Sequence, residues 1–247
     1  MKKQKGSILI FLLWVIAFLS FIVMEFGREV HLKAKTASCI LEAKKDYFTA
    51  YSLIQEAIVR LSLPEDDERR ILPNGQEIEL SFDNQRAKIR VEDEEEKINI
   101  NLVDAETLFS FLTEKIGFPS EKAEELVDCI LDYRDADNVP RPYGAEEDYY
   151  LSLSPPYKPA NSAFKTLEEL LFVKGITPEI FWSLYNFLTV YGKNVKYPKK
   201  EEKEPIMVKG HYYRFVCEIK NHFFVIITYY LGHGRHRIVY RNEYYKS

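Results

Sequence analysis

Apolar and polar positions divide the chain into stretches of different period. Residues 7–24 carry no charged side chain, and at 1.5 Å rise per residue they make roughly 27 Å of helix, the thickness of a bilayer's hydrocarbon core. No glycine or proline interrupts residues 28–63, where apolar side chains recur at spacings of three and four: Ile40, Tyr47, Tyr51, Ile54, Ile58 and Leu61. One helix is therefore expected from about Ser7 to Leu61, roughly 80 Å long, with a first half apolar all round and an amphipathic second half. The alternative is an anchor followed by a separate helix, broken at Gly27.

Pro64 and the charged run Glu65-Asp66-Asp67-Glu68-Arg69-Arg70 end that helix, and Pro73-Asn74-Gly75 signals a turn. Three period-2 segments follow, with Ile78, Leu80 and Phe82, then Ala87, Ile89 and Val91, then Ile98, Ile100 and Leu102 on one face each. Asp83-Asn84 is the turn between the first two, and the acidic run Asp93-Glu94-Glu95-Glu96 reads as a solvated loop before the third.

From Asp104 the period becomes helical. Asp104 is placed as an N-cap before a helix to Ile116, and Pro119-Ser120 opens another to about Tyr133. A stretch rich in proline, tyrosine and acid runs from Arg134 to Ala163. Thr166-Leu167-Glu168-Glu169 then reads as a capping box, Gly175 as a stop, and Thr177-Pro178 as an N-cap with proline at the first helical position. Residues 198–205 read as a solvated linker, and strand periodicity returns in Tyr213, Phe215, Cys217 and Ile219, then Val225, Ile227 and Tyr229, then Ile238 and Tyr240. Three early strands are too few to be stable alone, so the pattern implies one sheet interrupted by helices.

With 247 residues, 46 % of them apolar, the chain can bury one or two real cores, and a net charge of −4 gives no general affinity for nucleic acid. Cys39, Cys129 and Cys217 are too few for a disulfide framework and read as buried free thiols, with one bridge left open. His211, His222, His233 and His236 lack a cysteine or carboxylate cluster at ligand spacing and read as turn and strand residues rather than a zinc site. No nucleophile elbow, phosphate loop or zincin motif is present, so nothing in the sequence points to an enzyme.

Lys2, Lys3 and Lys5 precede the apolar run, and the next basic residue is Arg28. That asymmetry puts the N-terminus in the cytoplasm and the rest across the membrane. Residues 23–28 offer no small-residue cleavage site of the secretory type. The only processing glycine, Gly6, lies before the apolar run, which resembles a type III signal. There prepilin peptidase cuts on the cytoplasmic side, here between Gly6 and Ser7, and the apolar helix is retained.

Ile98-Asn99-Ile100-Asn101, Tyr133-Arg134-Asp135-Ala136-Asp137, Pro140-Arg141-Pro142-Tyr143-Gly144-Ala145-Glu146, Asp148-Tyr149-Tyr150, Pro156-Tyr157, Asn161 and Thr189-Val190-Tyr191-Gly192 together resemble the type II secretion system minor pseudopilin K family over nearly the whole chain. The resemblance implies an α+β fold: a pilin-like long N-terminal helix on an antiparallel sheet, with a mostly helical domain, SAM-like or helix-hairpin-helix-like, inserted between sheet strands. The expected segments are a leader at 1–6, the membrane and amphipathic helix at 7–62, the first sheet part at 63–102, the insertion at 103–192, and linker plus last strands at 193–247.

The implied function is structural: a subunit at the tip of a periplasmic pseudopilus, held in the inner membrane, that initiates assembly and supports secretion across the outer membrane. Its implied partners are the minor pseudopilins I and J, other pseudopilins, and the prepilin peptidase that would cut after Gly6 and methylate Ser7. Most pilins carry glutamate at the fifth mature position, which here is Phe11. A carboxylate in the bilayer needs a partner, in pilins the neighbour's amino terminus; a first subunit has none to meet, and the K family shares this absence. The amphipathic stripe Tyr47, Tyr51, Ile54, Ile58 and Leu61 is the expected assembly surface, shared with the chain's own sheet.

Asp132, Asp135, Asp137, Asn138, Glu146, Glu147 and Asp148 bring hard oxygens together within a short stretch, the ligand chemistry of calcium, although not at EF-hand spacing. The family resemblance also implies calcium in this domain, and a solvated acidic loop is the alternative. A different class of function, a membrane-anchored helix-hairpin-helix DNA-binding module, is suggested by Phe172-Val173-Lys174-Gly175-Ile176-Thr177. Against it, the usual second glycine is Thr177, and residues 101–192 hold seven basic against sixteen acidic residues, the wrong sign for a phosphate surface.

Overall fold

The computed structural model describes residues 4–193 and 206–245, with side chains from residue 9 onward. The 198–205 linker and the start of the leader lie outside the described residues. A single α-helix, α1 (Gln4–Leu61), runs without a break at Gly27. It contains the one helix among the described residues long and apolar enough to cross a membrane, and its apolar part is wholly exposed.

Among the described residues, five strands make one antiparallel sheet in the order β1-β2-β5-β6-β7: β1 (Asn74–Phe82), β2 (Gln85–Asp93), β5 (Tyr212–Ile219), β6 (His222–Gly232) and β7 (Arg235–Tyr245). Asp83 and Asn84 both adopt positive φ in the β1–β2 turn, a backbone that asparagine and aspartate tolerate better than most residues. The C-terminal half of α1 lies across one face. Ala50, Leu53, Ile54, Ala57, Ile58 and Leu61 pack there on Ala87, Ile89, Val91, Phe215, Cys217 and Ile226.

The helical insertion leaves the sheet at the end of β2 and returns at β5, and these two strands pair directly, Ile89 opposite Cys217 and Val91 opposite Phe215. The sheet thus closes across the base of the insertion. The insertion comprises β3 (Ile98–Asn99), α2 (Ala105–Ser110) continuing as a π-helix (Phe111–Ile116), α3 (Ser120–Arg134), α4 (Glu147–Leu151), a 3-10 helix (Leu167–Phe172), α5 (Pro178–Tyr185) and β4 (Leu188–Thr189). It has its own core, centred on Leu108, Phe111, Leu126, Ile130, Tyr150, Phe181 and Leu184.

The third alternating segment is not a strand of the main sheet. Only Ile98–Asn99 is extended, and it pairs in parallel with β4 in a separate two-stranded sheet that joins the insertion's entry to its exit; Leu102 points to solvent. The side chains of Asn99 and Asn101 explain the departure. Asn99 Nδ2 donates to the carbonyls of Tyr191 and Gly192, at 3.1 and 2.9 Å, while its Oδ1 accepts from Asn101 N. Asn101 accepts from Phe164 N at 2.7 Å and donates to Phe164 O at 2.9 Å.

The acidic run at 93–96 is not a solvated loop either. Glu94 is completely buried, its carboxylate held by Arg214 and by Lys97 Nζ at 2.8 Å, and Thr189 Oγ1 donates to it at 2.5 Å. A charge run becomes interior when remote cations supply the opposite charge, here Arg214 on β5. In β6 the expected single buried face is two. Phe224 and Ile226 face α1, while Val225 and Ile227 face away from it in a small cluster with Val216, Tyr212 and Tyr240. Tyr240 and Tyr244 of β7 both donate to Glu168 of the 3-10 helix, Tyr240 at 2.5 Å, so the insertion is fastened to the second face.

Asp104 caps α2, accepting from Thr107 N at 2.8 Å, and Thr177 caps α5. The expected capping box is only half formed. Thr166 makes no side-chain cap bond, and Glu169 reaches back to Lys165 N instead. All three cysteines are free, but Cys39 is exposed rather than buried, because it precedes the part of α1 that the sheet covers.

Candidate functional site

The sequence marks two places, the stem helix and the acidic stretch after α3. On the stem, Ile54, Ile58 and Leu61 are buried beneath the chain's own sheet, and Tyr47 and Tyr51 stand at its margin. Tyr47 stacks on Tyr51, and its hydroxyl accepts from Arg241 Nη1 at 2.7 Å. These two tyrosines with Ile54, Phe224, Ile226 and Arg241 line an open groove of about 240 Å³ between α1 and β7. The free apolar side chains on the second half of α1 are others, Leu41, Phe48 and Val59, each more than 60 % exposed. Period alone groups residues on one face but does not say which face the sheet takes. Phe11 is exposed in the apolar span; Gly6 and Ser7 lie in the helix, among residues whose side chains are not described.

The acidic stretch is built on the last two turns of α3, over which the following proline-rich loop folds back. Asp128 Oδ2 accepts from Tyr143 N at 3.1 Å, Cys129 Sγ donates to Tyr143 O at 3.4 Å, and Asp132 Oδ2 accepts from Arg141 N at 3.1 Å. Gly144 rests against Asp132 so closely that any Cβ there would collide with the carboxylate. This approach carries Glu146 into the protein, where it is 6 % exposed.

Asp135, Asp137 and Glu146 each present a carboxylate oxygen within 4.8 Å of the others. Oxygens bound to one calcium ion lie at most about 5 Å apart, given Ca–O distances of 2.3–2.6 Å. Both oxygens of Glu146, Oδ1 of Asp135 and Oδ1 of Asn161 are buried without a hydrogen-bond donor. Burial, and then the charges of Asp132, Asp135 and Asp137, push the Glu146 carboxyl up to about 7. A buried carboxylate with no partner is costly, so this oxygen-only set fits a hard cation.

The remaining residues of the expected set stand outside this triad. Asp132, wholly buried, is paired with Arg141 Nη1 at 2.5 Å; Glu147 pairs with Lys158 at 2.7 Å; Asp148 faces solvent on α4. Asn138 Oδ1 accepts from Asn161 Nδ2 at 3.0 Å. Asn161 stands outside the expected ligand set. Its signal is weak in the sequence, a lone asparagine some fifteen residues beyond Glu146, and only the fold ties it to the Asp137–Asn138 segment.

The helix-hairpin-helix turn is a packing element. Val173 and Ile176 are buried, Gly175 has φ +83° and faces Lys122 and Leu126 of α3, and Lys174 Nζ turns inward to the carbonyls of Tyr143 and Gly144 and over the Tyr149 ring. Its lysine is therefore committed to the loop that carries Glu146 rather than presented to a phosphate.

Known proteins match the part of the chain that carries these residues. The family model described as Type II secretion system (T2SS), protein K matches residues 92–193. The type II secretion system protein K of Pectobacterium carotovorum is 33 % identical over 81 residues, 33 % of this chain and 25 % of that protein. The protein K of Aeromonas hydrophila is 24 % identical over 205 residues, 73 % of this chain and 61 % of that protein. The matches thus span from a quarter to about three fifths of these relatives. A chain in the crystal structure of the GspK-GspI-GspJ complex from enterotoxigenic Escherichia coli superposes with a TM-score of 0.57 at 13 % identity, over 82 % of this chain and 98 % of that one, and so shares its fold. Residues 92–193, which hold the insertion, thus match the protein K family model, and the chain shares the fold of the structural neighbour.

Proposed function

We propose that the chain is the minor pseudopilin at the tip of the periplasmic pseudopilus, anchored once in the inner membrane with its N-terminus cytoplasmic, and that it initiates pseudopilus assembly and supports secretion across the outer membrane. The observation that carries this is the insertion between the adjacent strands β2 and β5. It broadens a pilin-sized head beyond what a tightly packed fibre can cover with further subunits, which leaves the end of the fibre. Phe11 agrees, since an end subunit has no preceding amino terminus for a membrane carboxylate to meet.

Its partners in this reading are the I and J minor pseudopilins, the proteins that share the complex with the structural neighbour, and the contact is made by the part of α1 that the sheet leaves open. Prepilin peptidase would cut after Gly6 and methylate Ser7. Intact-mass measurement of the membrane form tests this: the expected species begins at a methylated Ser7, and a chain still starting at Met1 contradicts it.

Calcium is the cation the acidic cluster fits, held by Asp135, Asp137 and Glu146, with Asn161 as a neutral oxygen beside them. Bound there, calcium supplies the positive charge those carboxylates lack. The residues would then join the end of α3, the loop after it and the start of α4 into one rigid corner.

A further inference from the structure

The seven oxygen-bearing residues of the acidic stretch do not form one equivalent set. Arg141 divides them. Its Nη1 lies 2.5 Å from Asp132 Oδ1 and 2.7 Å from Asp135 Oδ2, and its backbone N–H donates to Asp132 Oδ2. Both oxygens of Asp132 are thus occupied by the same residue. Asp135 is shared, with Oδ2 on the guanidinium and Oδ1 buried and empty-handed. Beyond that lie the oxygens with no donor at all: both of Glu146, a side chain more than nine-tenths buried with an oxygen in the triad, and Oδ1 of Asn161.

From this partition we infer that Arg141 is a resident cation of the cluster, a positioning residue that neutralises Asp132 and one edge of Asp135, so that the corner stays folded when no metal is bound. Asp132 is then not a metal ligand. The oxygens left for the ion are Asp135 Oδ1, Asp137, Glu146 and Asn161 Oδ1, the outward half of the cluster. The inference rests on the calcium reading for its second half only; the role of Arg141 in the metal-free protein stands apart from it. A guanidinium suits this place because the two hydrogens of Nη1 can serve both carboxylates at once, and the group cannot lose its proton.

The experiment uses the full chain in detergent, with calcium chloride as the probe, reading thermal unfolding in chelator and in calcium and calcium stoichiometry by calorimetry. In chelator, Arg141→Gln should melt several degrees below wild type, Arg141→Lys should recover part of the loss, and Glu146→Gln should melt above wild type because a buried unpaired charge is gone. Calcium should raise the wild-type melting temperature, raise that of Arg141→Gln by more, and leave Glu146→Gln unmoved. Asp132→Asn should bind calcium with wild-type stoichiometry while melting lower in chelator.

If wild type binds no calcium, the calcium reading fails, and the chelator series alone decides the role of Arg141. If wild type binds calcium but Asp132→Asn does not, Asp132 is a ligand and the partition is wrong. Arg141→Gln as stable as wild type in chelator, or unfolded and not restored by calcium, overturns the resident-cation role.

Discussion

Arg214 on β5 and Glu94 at the mouth of the insertion, 120 positions apart, form a two-pronged ion pair with both side chains no more than 1 % exposed: Nη2 donates to Oε2 at 3.0 Å and Nε lies 2.8 Å from Oε1. The same guanidinium donates to the carbonyls of Tyr185 and Leu188 at 3.0 and 3.2 Å. One side chain therefore ties the sheet to both the entry and the exit of the insertion. Desolvation alone would lower the charge on either group; the neighbouring charges reverse this, holding the Glu94 carboxyl below its usual range and Arg214 above.

Glu94→Gln leaves Arg214 and Lys97 buried with less countercharge. The expected loss is about 3–5 kcal/mol of unfolding free energy, the usual cost of removing one partner of a buried pair, measured by denaturant unfolding of the full chain in detergent. Glu77→Gln, whose pair with Lys88 is about half exposed on both sides, should fall within about 1 kcal/mol of wild type.

The two faces of α1 should separate in mutagenesis. Ile54→Ala, at a wholly buried position, is expected to cost about 2–5 kcal/mol of stability. Phe48→Ser and Leu41→Ser, at positions 64 % and 70 % exposed, should leave the melting temperature within a degree or two and lower recovery with the I and J pseudopilins. Lost recovery with Ile54→Ala alone would point to the wrong face.

Gly144 and Gly27 make a matched pair of glycine-to-alanine tests. A Cβ at Gly144 meets the Asp132 carboxylate, whereas nothing lies within 4 Å of one at Gly27. Gly144→Ala should destabilise the chain by more than about 1 kcal/mol and lower calcium uptake. Gly27→Ala should be neutral or add up to about 1 kcal/mol of helix stability.

Stability should fall with acid through His236. The ring lies against Tyr230, Tyr213 and Phe215, with Nδ1 2.9 Å from Thr228 Oγ1 and Nε2 buried without a partner, and burial pushes its pKa down to about 4. Between about pH 6.5 and 4 the unfolded chain binds a proton that the folded chain does not, so stability rises with pH across that window and is lost as pH falls through it. The stability–pH slope of His236→Phe should be shallower than that of wild type between pH 6.5 and 5; an unchanged slope contradicts the assignment.

The long helix, the paired strands around Asp83-Asn84, the caps at Asp104 and Thr177 and the sheet's interruption are legible because each rests on local period or turn chemistry. What the sequence hides is carried by distant partners. Glu94 reads as a surface acid because its cation lies on β5. Ile98-Asn99-Ile100-Asn101 alternates like a strand of the main sheet because asparagine side chains can be read as polar outward positions, whereas here they staple backbone at Phe164 and Tyr191. The acidic stretch is visible as a whole, but its division by Arg141 is not, since every carboxylate looks alike until its donors are known.

The central claim, a pseudopilus tip subunit, is tested most directly by co-expressing the full-length chain with the I and J pseudopilins of the same genome and isolating it in mild detergent. The expected result is a discrete complex containing all three proteins, weakened by Phe48→Ser. Recovery of the chain free of both, correctly folded and correctly processed, would contradict the claim.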